Sequence, residues 1–288
     1  VKPAPFDYAR PRNLQEAVEL LAARPDEAKI LAGGQSLVPM MAFRLATPDV
    51  LIDLNGVGEL EGVRLEDGAL VLGAMARHRD AEDFRGLRDR CALVADAVGL
   101  IGHPAIRNRG TVGGSIAHAD PAAEWPAVLT ALGGSVVAAG PNGSRTIGAG
   151  ELFDTYFTTT LAADEILAEV HLPLPPAGAG SAFIELARRH GDFALAGAAV
   201  VLELDGEIVA EARVVLIGVA DRPFRAVTAE SFLRGAAATD ETLALAAASI
   251  GPEIEPMSDV HGSSDYRRHV AGVMLRRALE TARSRVTA

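Results

Sequence analysis

Two segments of the chain combine paired glycines with a nearby serine. They are Leu31-Ala32-Gly33-Gly34-Gln35-Ser36-Leu37 and Gly110-Thr111-Val112-Gly113-Gly114-Ser115. Adjacent glycines reach backbone conformations closed to other residues and let main-chain amides approach a ligand closely. Successive amides in such a turn form a concave nest that favours anions, phosphates above all. The chemistry to expect is one phosphate-bearing cofactor held between the two loops by amides and hydroxyls. For either pair alone, an ordinary tight turn remains the alternative. Arg107 and Arg109, just ahead of the second segment, are positioned to add positive charge or to form a solvated turn.

Other chemistries find little support. Gly33-Gly34-Gln35-Ser36 is not GxGxxG, and no Lys-Ser or Lys-Thr follows as a phosphate-binding P-loop requires. CxxC, HExxH and a supported Ser-His-Asp set are missing from the sequence. His118-Ala119-Asp120 lacks further ligands nearby and reads as structural, as do the isolated His171 and His190. The carboxylates are dispersed, and none is singled out as a general acid or base. Cys91 is the one cysteine, so this chain alone forms no disulfide and ligates no iron–sulfur cluster.

Composition narrows the class further. A chain of 288 residues most naturally holds two domains, with a core of Ala, Val, Leu and Ile because aromatics are few. A net charge of −11 argues against nucleic acid as a partner. The longest apolar runs, such as 214–220, fall far short of a bilayer span, so no integral membrane segment is expected. Val1-Lys2-Pro3-Ala4-Pro5 has no apolar signal core, and a cytoplasmic location is the expectation.

The elements that must position the two segments follow from periodicity. An extended Phe6-Asp7-Tyr8 leads to a helix capped by Asn13, with Glu16 in a variant capping box and Leu14, Ala17, Val18 and Leu21 at helical spacing. A short strand at 29–31 delivers the chain into the first loop, Ser36 is expected to cap a helix over 37–45, and 50–54 is the next strand. The order β-α-β-α-β predicts a small parallel sheet. From Leu60 the pattern changes to a hairpin at 63–72, a mostly helical stretch over 77–102, and a helix opened by Pro121-Ala122-Ala123-Glu124. A second hairpin spans 135–147, and a strand over 166–172 stops at Pro173. The Pro/Gly cluster at 174–180 reads as a linker. Beyond it, three strands (183–187, 198–204 and 212–219) and three helices predict a three-stranded antiparallel sheet with helices packed on it.

With these residues in view, the chain resembles the FAD-binding (medium) subunits of molybdenum hydroxylases, the group that includes carbon monoxide, nicotine and xanthine dehydrogenases. Four stretches carry the resemblance, in order and over essentially the whole length. They are Ala32-Gly33-Gly34-Gln35-Ser36-Leu37; Ile106-Arg107-Asn108-Arg109-Gly110-Thr111-Val112-Gly113-Gly114-Ser115 with His118-Ala119-Asp120-Pro121; Arg188-Arg189-His190-Gly191-Asp192-Phe193-Ala194; and Asp265-Tyr266-Arg267-Arg268. The resemblance implies an α+β protein. A vanillyl-alcohol-oxidase (PCMH) type FAD-binding domain of two α/β subdomains, about 1–55 and 56–175, would precede an α+β domain over 180–288. It also implies that Leu31 through Val38 wrap the FAD pyrophosphate and ribityl chain, and that Thr111, Val112, Gly113, Gly114 and Ser115 clamp it from the other side. Ile101 and Leu167 would line the cofactor, and Glu124 stands where relatives have an Asp that contacts it. Phe193 replaces a Tyr near the isoalloxazine, able to shield the ring but not to donate a hydrogen bond. Ile184 falls where xanthine-oxidising relatives have a Lys, which weakens the case for NAD as acceptor.

The implied role is electron relay. A molybdopterin-bearing large subunit oxidises substrate, [2Fe–2S] clusters of a small subunit pass electrons to this FAD, and an external acceptor takes them. The assembly expected is a dimer of heterotrimers. No residue of this chain need be catalytic, because the redox chemistry belongs to the flavin. A free-standing flavin oxidase on the same fold, or a scaffold subunit without flavin, are the alternatives. Fold-level analogy says many such oxidases tether flavin through His or Cys, and neither glycine loop contains one. Replacing Gly34 with valine is expected to abolish flavin binding while the C-terminal domain stays folded. Normal FAD uptake by the Gly34→Val chain in a spectroscopic titration would remove this loop from the site.

Overall fold

The computed structural model describes residues 2–287. The chain starts with β1 (Asp7–Ala9), α1 (Leu14–Ala23), β2 (Ala28–Leu31), α2 (Leu37–Ala42) and β3 (Val50–Asp53). The strands form the expected parallel sheet in the order β1-β3-β2, with β3 central and buried along its length. Asn13 caps α1 by accepting from the Glu16 amide at 2.8 Å, while the Glu16 carboxylate reaches back to the amide of Arg12. Two expectations at α2 fail. Ser36 has helical dihedrals and makes no side-chain cap, and the helix ends at Ala42 because Arg44 turns the backbone left-handed, with φ 58°.

The second unit begins with the hairpin β4 (Val63–Glu66) and β5 (Ala69–Gly73). The stretch read as mostly helical is divided into α3 (His78–Glu82), α4 (Leu87–Arg90) and α5 (Ala92–Leu100), with a left-handed Gly86 starting α4. Then come α6 (Pro104–Arg107), α7 (Val112–His118) and α8 (Glu124–Ala131). The hairpin β6 (Ser135–Gly140) and β7 (Gly143–Gly148) leads to α9 (Ala149–Leu152), the small ribbon β8 (Phe153–Thr155) and β9 (Thr158–Thr159), and β10 (Ile166–Pro173). These strands assemble as an antiparallel sheet, β4-β5-β10-β6-β7.

The C-terminal part contains β11 (Gly180–Ala187), β12 (Ala194–Asp205), β13 (Ile208–Ile217), β14 (Phe224–Arg225), α10 (Val227–Leu233), α11 (Asp240–Ser249) and α12 (Ser264–Ser284). Its sheet has four strands, where the sequence predicts three. The extra edge strand β14 is only two residues long and carries no periodicity. Buried Glu230 secures this edge, accepting from the Val214 amide at 3.0 Å and from the Arg225 guanidinium.

Side chains alternate across a strand, and here the alternation divides two cores. Ala182, Ile184, Val214 and Leu216 join α10, α11 and α12 in one core, whereas Phe183, Ala199, Val201, Val215 and Ile217 enter the core of the second unit. The Pro/Gly stretch is therefore a short connection between parts that share an interior, with Leu174 and Ala179 packed on it. Polar ties reinforce the junction: Ser181 accepts from the Leu93 amide at 3.2 Å, and Arg285 spans Asp96 and the Ser181 carbonyl.

His78, at the start of α3, is buried and stacked near Trp125, whose Nε1 donates to His78 Nδ1 at 3.0 Å. Burial, with Arg107 and Arg77 adding to it, lowers the imidazole pKa to about 4. The unfolded chain takes up this proton near the ordinary value of about 6.5. Stability contributed by the neutral ring is thus present above that pH and is lost as pH falls toward 4, by on the order of 3 kcal/mol. Urea unfolding between pH 6.5 and 4.5 is expected to show this loss in the wild type and not in His78→Gln. Parallel profiles for the two chains would place the proton uptake elsewhere.

Candidate functional site

The first glycine segment leaves the carboxyl end of β2, and Asp53 and Asn55 leave the neighbouring end of β3. Carboxyl ends of parallel strands are where open α/β sheets place ligands. A cleft of about 410 Å³ lies there, bordered by 31–35, Val38, Pro39, Asp53, Asn55 and Arg109. Gly34 is left-handed, with φ 73°, and Gln35 folds back so that its Nε2 donates to the Gly33 carbonyl at 3.0 Å. Among the described residues, the amides of Gly33, Gly34, Gln35 and Ser36 have no acceptor in the protein. Four consecutive unpaired donors, three of them on residues that line the cleft, are a donor set suited to an anion.

The second segment is built differently. Thr111 caps α7, its Oγ1 accepting from Gly114 at 3.1 Å, so the Gly113-Gly114 pair lies in the first helical turn and not in a loop. Its amides are already used: Val112 donates to Ala76, Gly113 to Ala74 and Ser115 to Thr111. Here glycine serves close packing. A Cβ at Gly113 would stand 2.5 Å from that of Ala74, and one at Gly114 would meet Thr111 Oγ1 at 2.6 Å. The expectation of two matching amide nests is corrected to one nest and one packed helix start, which presents half-buried Gly114 and Ser115.

The two segments nevertheless touch. A Cβ on Gly33 would collide with the Arg109 carbonyl and come within 2.7 Å of Gly110 Cα, and a Cβ on Gly114 would lie 3.4 Å from that of Ala32. Side chains fasten the junction. Asn55 donates to the Ala32 carbonyl at 3.1 Å and accepts from Arg77 at 2.6 Å, while Arg77 also reaches the Arg109 carbonyl. Asp53 orients Asn55, accepting from its amide at 2.9 Å. Burial opposes the Asp53 charge, but hydrogen bonds from Tyr8 and Asn55 prevail and keep its pKa below the usual carboxylate value. Asp53, Asn55 and Arg77 went unread in the sequence. The position of Asp53-Leu54-Asn55 at a parallel strand's carboxyl end was the available signal.

The two arginines part ways. Arg107 is buried and engaged by Glu82 through two hydrogen bonds of 2.9 and 3.2 Å, its Nη1 donating to the Ile101 and Gly102 carbonyls. It holds the chain in place and offers no free charge. Arg109 is exposed, borders the cleft and has no carboxylate partner among the described residues.

The remaining candidates spread away from the cleft. Ile101 is buried at the end of α5. Leu167 sits where the register of β10 shifts, in one core with Val112 and Ile116. Phe193 is 71% exposed on the turn between β11 and β12. That turn abuts the Ile101 segment, since a Cβ on Gly191 would lie 2.7 Å from the His103 ring. Glu124 opens α8, and burial, with Asp120 adding repulsion, pushes its pKa up to about 7. Ile184 points into the C-terminal helical core, away from the FAD-side domain. No group of three or more His, Cys, Asp or Glu is placed to hold a metal ion among the described residues.

Gly33→Ala is expected to separate the segments and weaken FAD binding at least about tenfold, a change equivalent to about 1.4 kcal/mol. FAD titration of the folded variant checks this, and wild-type affinity would show that the contact is dispensable.

Comparison with known proteins places both parts of the chain in one family. Residues 4–175 match the family model described as the FAD binding domain in molybdopterin dehydrogenase, and residues 181–282 match the CO dehydrogenase flavoprotein C-terminal domain. The carbon monoxide dehydrogenase medium chain of Hydrogenophaga pseudoflava is 40% identical over 283 residues, covering 98% of this chain and 99% of that one. The 6-hydroxypseudooxynicotine dehydrogenase complex subunit alpha of Paenarthrobacter nicotinovorans is 39% identical over 283 residues, covering 98% and 96%. Among solved structures, carbon monoxide dehydrogenase from H. pseudoflava lacking the Mo-pyranopterin moiety superposes with a TM-score of 0.97 at 41% identity, each chain covered completely. Quinoline 2-oxidoreductase from Pseudomonas putida 86 gives 0.94 at 37% identity, likewise with complete coverage. No helix among the described residues is long and apolar enough to cross a membrane. With both of its domains matched and full-length relatives near 40% identity, the chain belongs to the FAD-binding medium subunits of molybdenum hydroxylases.

Proposed function

We propose that the 31–38 segment and Arg109 hold the FAD pyrophosphate, and that the chain relays electrons from [2Fe–2S] clusters of a small partner subunit to an external acceptor. The observation that carries the reading is the run of four unpaired amides at Gly33, Gly34, Gln35 and Ser36 beside the cleft. Bound FAD supplies the redox chemistry. The chain's own residues bind and orient it. The amides and the Arg109 guanidinium face the phosphate charge, and Gly114 and Ser115 back the same junction. Ile101 and Leu167 supply apolar lining, Glu124 a polar contact, and Phe193 an aromatic cover for the ring. The one thiol, Cys91, is buried, and His103 and His118 pack against Gly191 and Phe157. On this basis the flavin is held without a covalent link.

In this reading the chain divides near residues 175–180. It assembles in the cytoplasm with the small subunit and a molybdopterin-bearing large subunit as a dimer of heterotrimers. Purification from the native source tests the assignment. The expected result is a yellow chain that co-purifies with cluster-bearing and molybdenum-bearing chains and releases its colour on denaturation. A lone active flavoprotein would overturn the relay, and a chain whose spectrum ignores added FAD would overturn cofactor binding.

A further inference from the structure

On β11 the residues facing the FAD-side domain are Ser181, Phe183 and Glu185, the face opposite Ile184. Ser181 and Phe183 are absorbed by the domain junction. Glu185 is not. It pairs in register with Gly197, and Gly197 with Ile217, so the neighbouring strands offer it no polar group. Its Oε2 is buried and has no hydrogen-bond partner. A buried carboxyl oxygen left without a partner is costly and calls for an explanation. Glu185 stands near the end of β11, whose following turn carries Phe193. From the other domain it feels the charge of Glu124.

We propose that Glu185 is a cofactor-facing residue, and that its unpartnered oxygen hydrogen-bonds FAD from the C-terminal domain, opposite Glu124. The inference rests on FAD occupying this chain and extends its contacts to a residue outside the glycine segments. The surrounding charges do not supply another partner. On α5, Asp96 is held by Arg88 and Arg285; on α12, Arg267 is held by Asp259 and the Leu195 carbonyl, and its buried, unpartnered Nε makes no hydrogen bond to Glu185. On the following turn, Arg188 is engaged with His261. The charge that acts on Glu185 is Glu124, which is itself acted on by Asp120, and both are acidic.

Burial, with Glu124 adding repulsion, pushes the Glu185 pKa up to about 8. Near neutral pH the side chain is therefore a protonated acid, able to donate. Raising the pH removes that donor and adds negative charge beside the cofactor, so FAD binding weakens as pH rises through about 7 to 8.

FAD titrations of the full-length wild type, Glu185→Gln and Glu185→Ala across pH 6 to 9 test the proposal. The amide of Glu185→Gln keeps shape and a donor, so wild-type affinity near pH 7 is expected, with the weakening near pH 8 lost and only a step near pH 7 from Glu124 remaining. Glu185→Ala is expected to bind about tenfold more weakly at pH 7. The bound flavin's absorption maximum is a second readout, expected to shift in Glu185→Ala and hold in Glu185→Gln. Should Glu185→Ala not fold, loss of the step near pH 8 in Glu185→Gln decides. Unchanged affinity, pH profile and spectrum in the variants would overturn the proposal while FAD binding stands. A wild type that binds no FAD at any pH would instead overturn the cofactor reading itself.

Discussion

The site depends on a contact between two backbones. Gly33 lies so close to the Arg109 carbonyl and Gly110 that no other residue fits without displacing one of them. That closeness sets the distance between the parallel-sheet unit and the antiparallel unit, which are otherwise built on separate sheets. Asn55 and Arg77 hold the contact closed by bonding to carbonyls on both sides of it. Asp53 belongs to the same arrangement. Its carboxylate accepts from Tyr8 and Asn55 and so orients Asn55.

Seen from this junction, the two glycine pairs have different work. At 33–36 four consecutive amides have no acceptor among the described residues, and in the proposed reading a bound anion takes them up. At 113–114 the donors are consumed internally, and the absence of side chains lets α7 lie on the end of β5. Identical dipeptides thus leave free donors in one place and a packing surface in the other. The deciding difference is what precedes them: a strand's carboxyl end in the first case, a capping threonine in the second.

Much of this was readable beforehand because local chemistry and tertiary context agree. The three-stranded parallel unit, the Asn13 cap, the hairpins and the three C-terminal helices all follow from periodicity and turn residues. Where they disagree, the sequence misleads. Ser36 is a good capping type, but the glycine turn before it takes its backbone into helical dihedrals first. Arg107 looks like a free charge until Glu82, far away in sequence, is folded against it. β14 exists because Glu230 and Arg225 pin two residues to an edge. Relations of this kind are long-range and side-chain specific, so no local pattern announces them. The family resemblance supplied the candidate positions for Ile101, Leu167 and Phe193, which lie on three separate elements or turns.

The core common to both domains has a mechanical consequence. Phe183, Val201, Val215 and Ile217 are buried by residues from before the Pro/Gly connection, while Arg285 near the chain's end grips Asp96. The covalent link at 174–180 is therefore not what holds the halves together. A protease that cuts the exposed part of that connection leaves two fragments joined by an apolar interior and by charge. Such a nicked molecule behaves in solution as one particle, and its parts come apart only when that interior is opened.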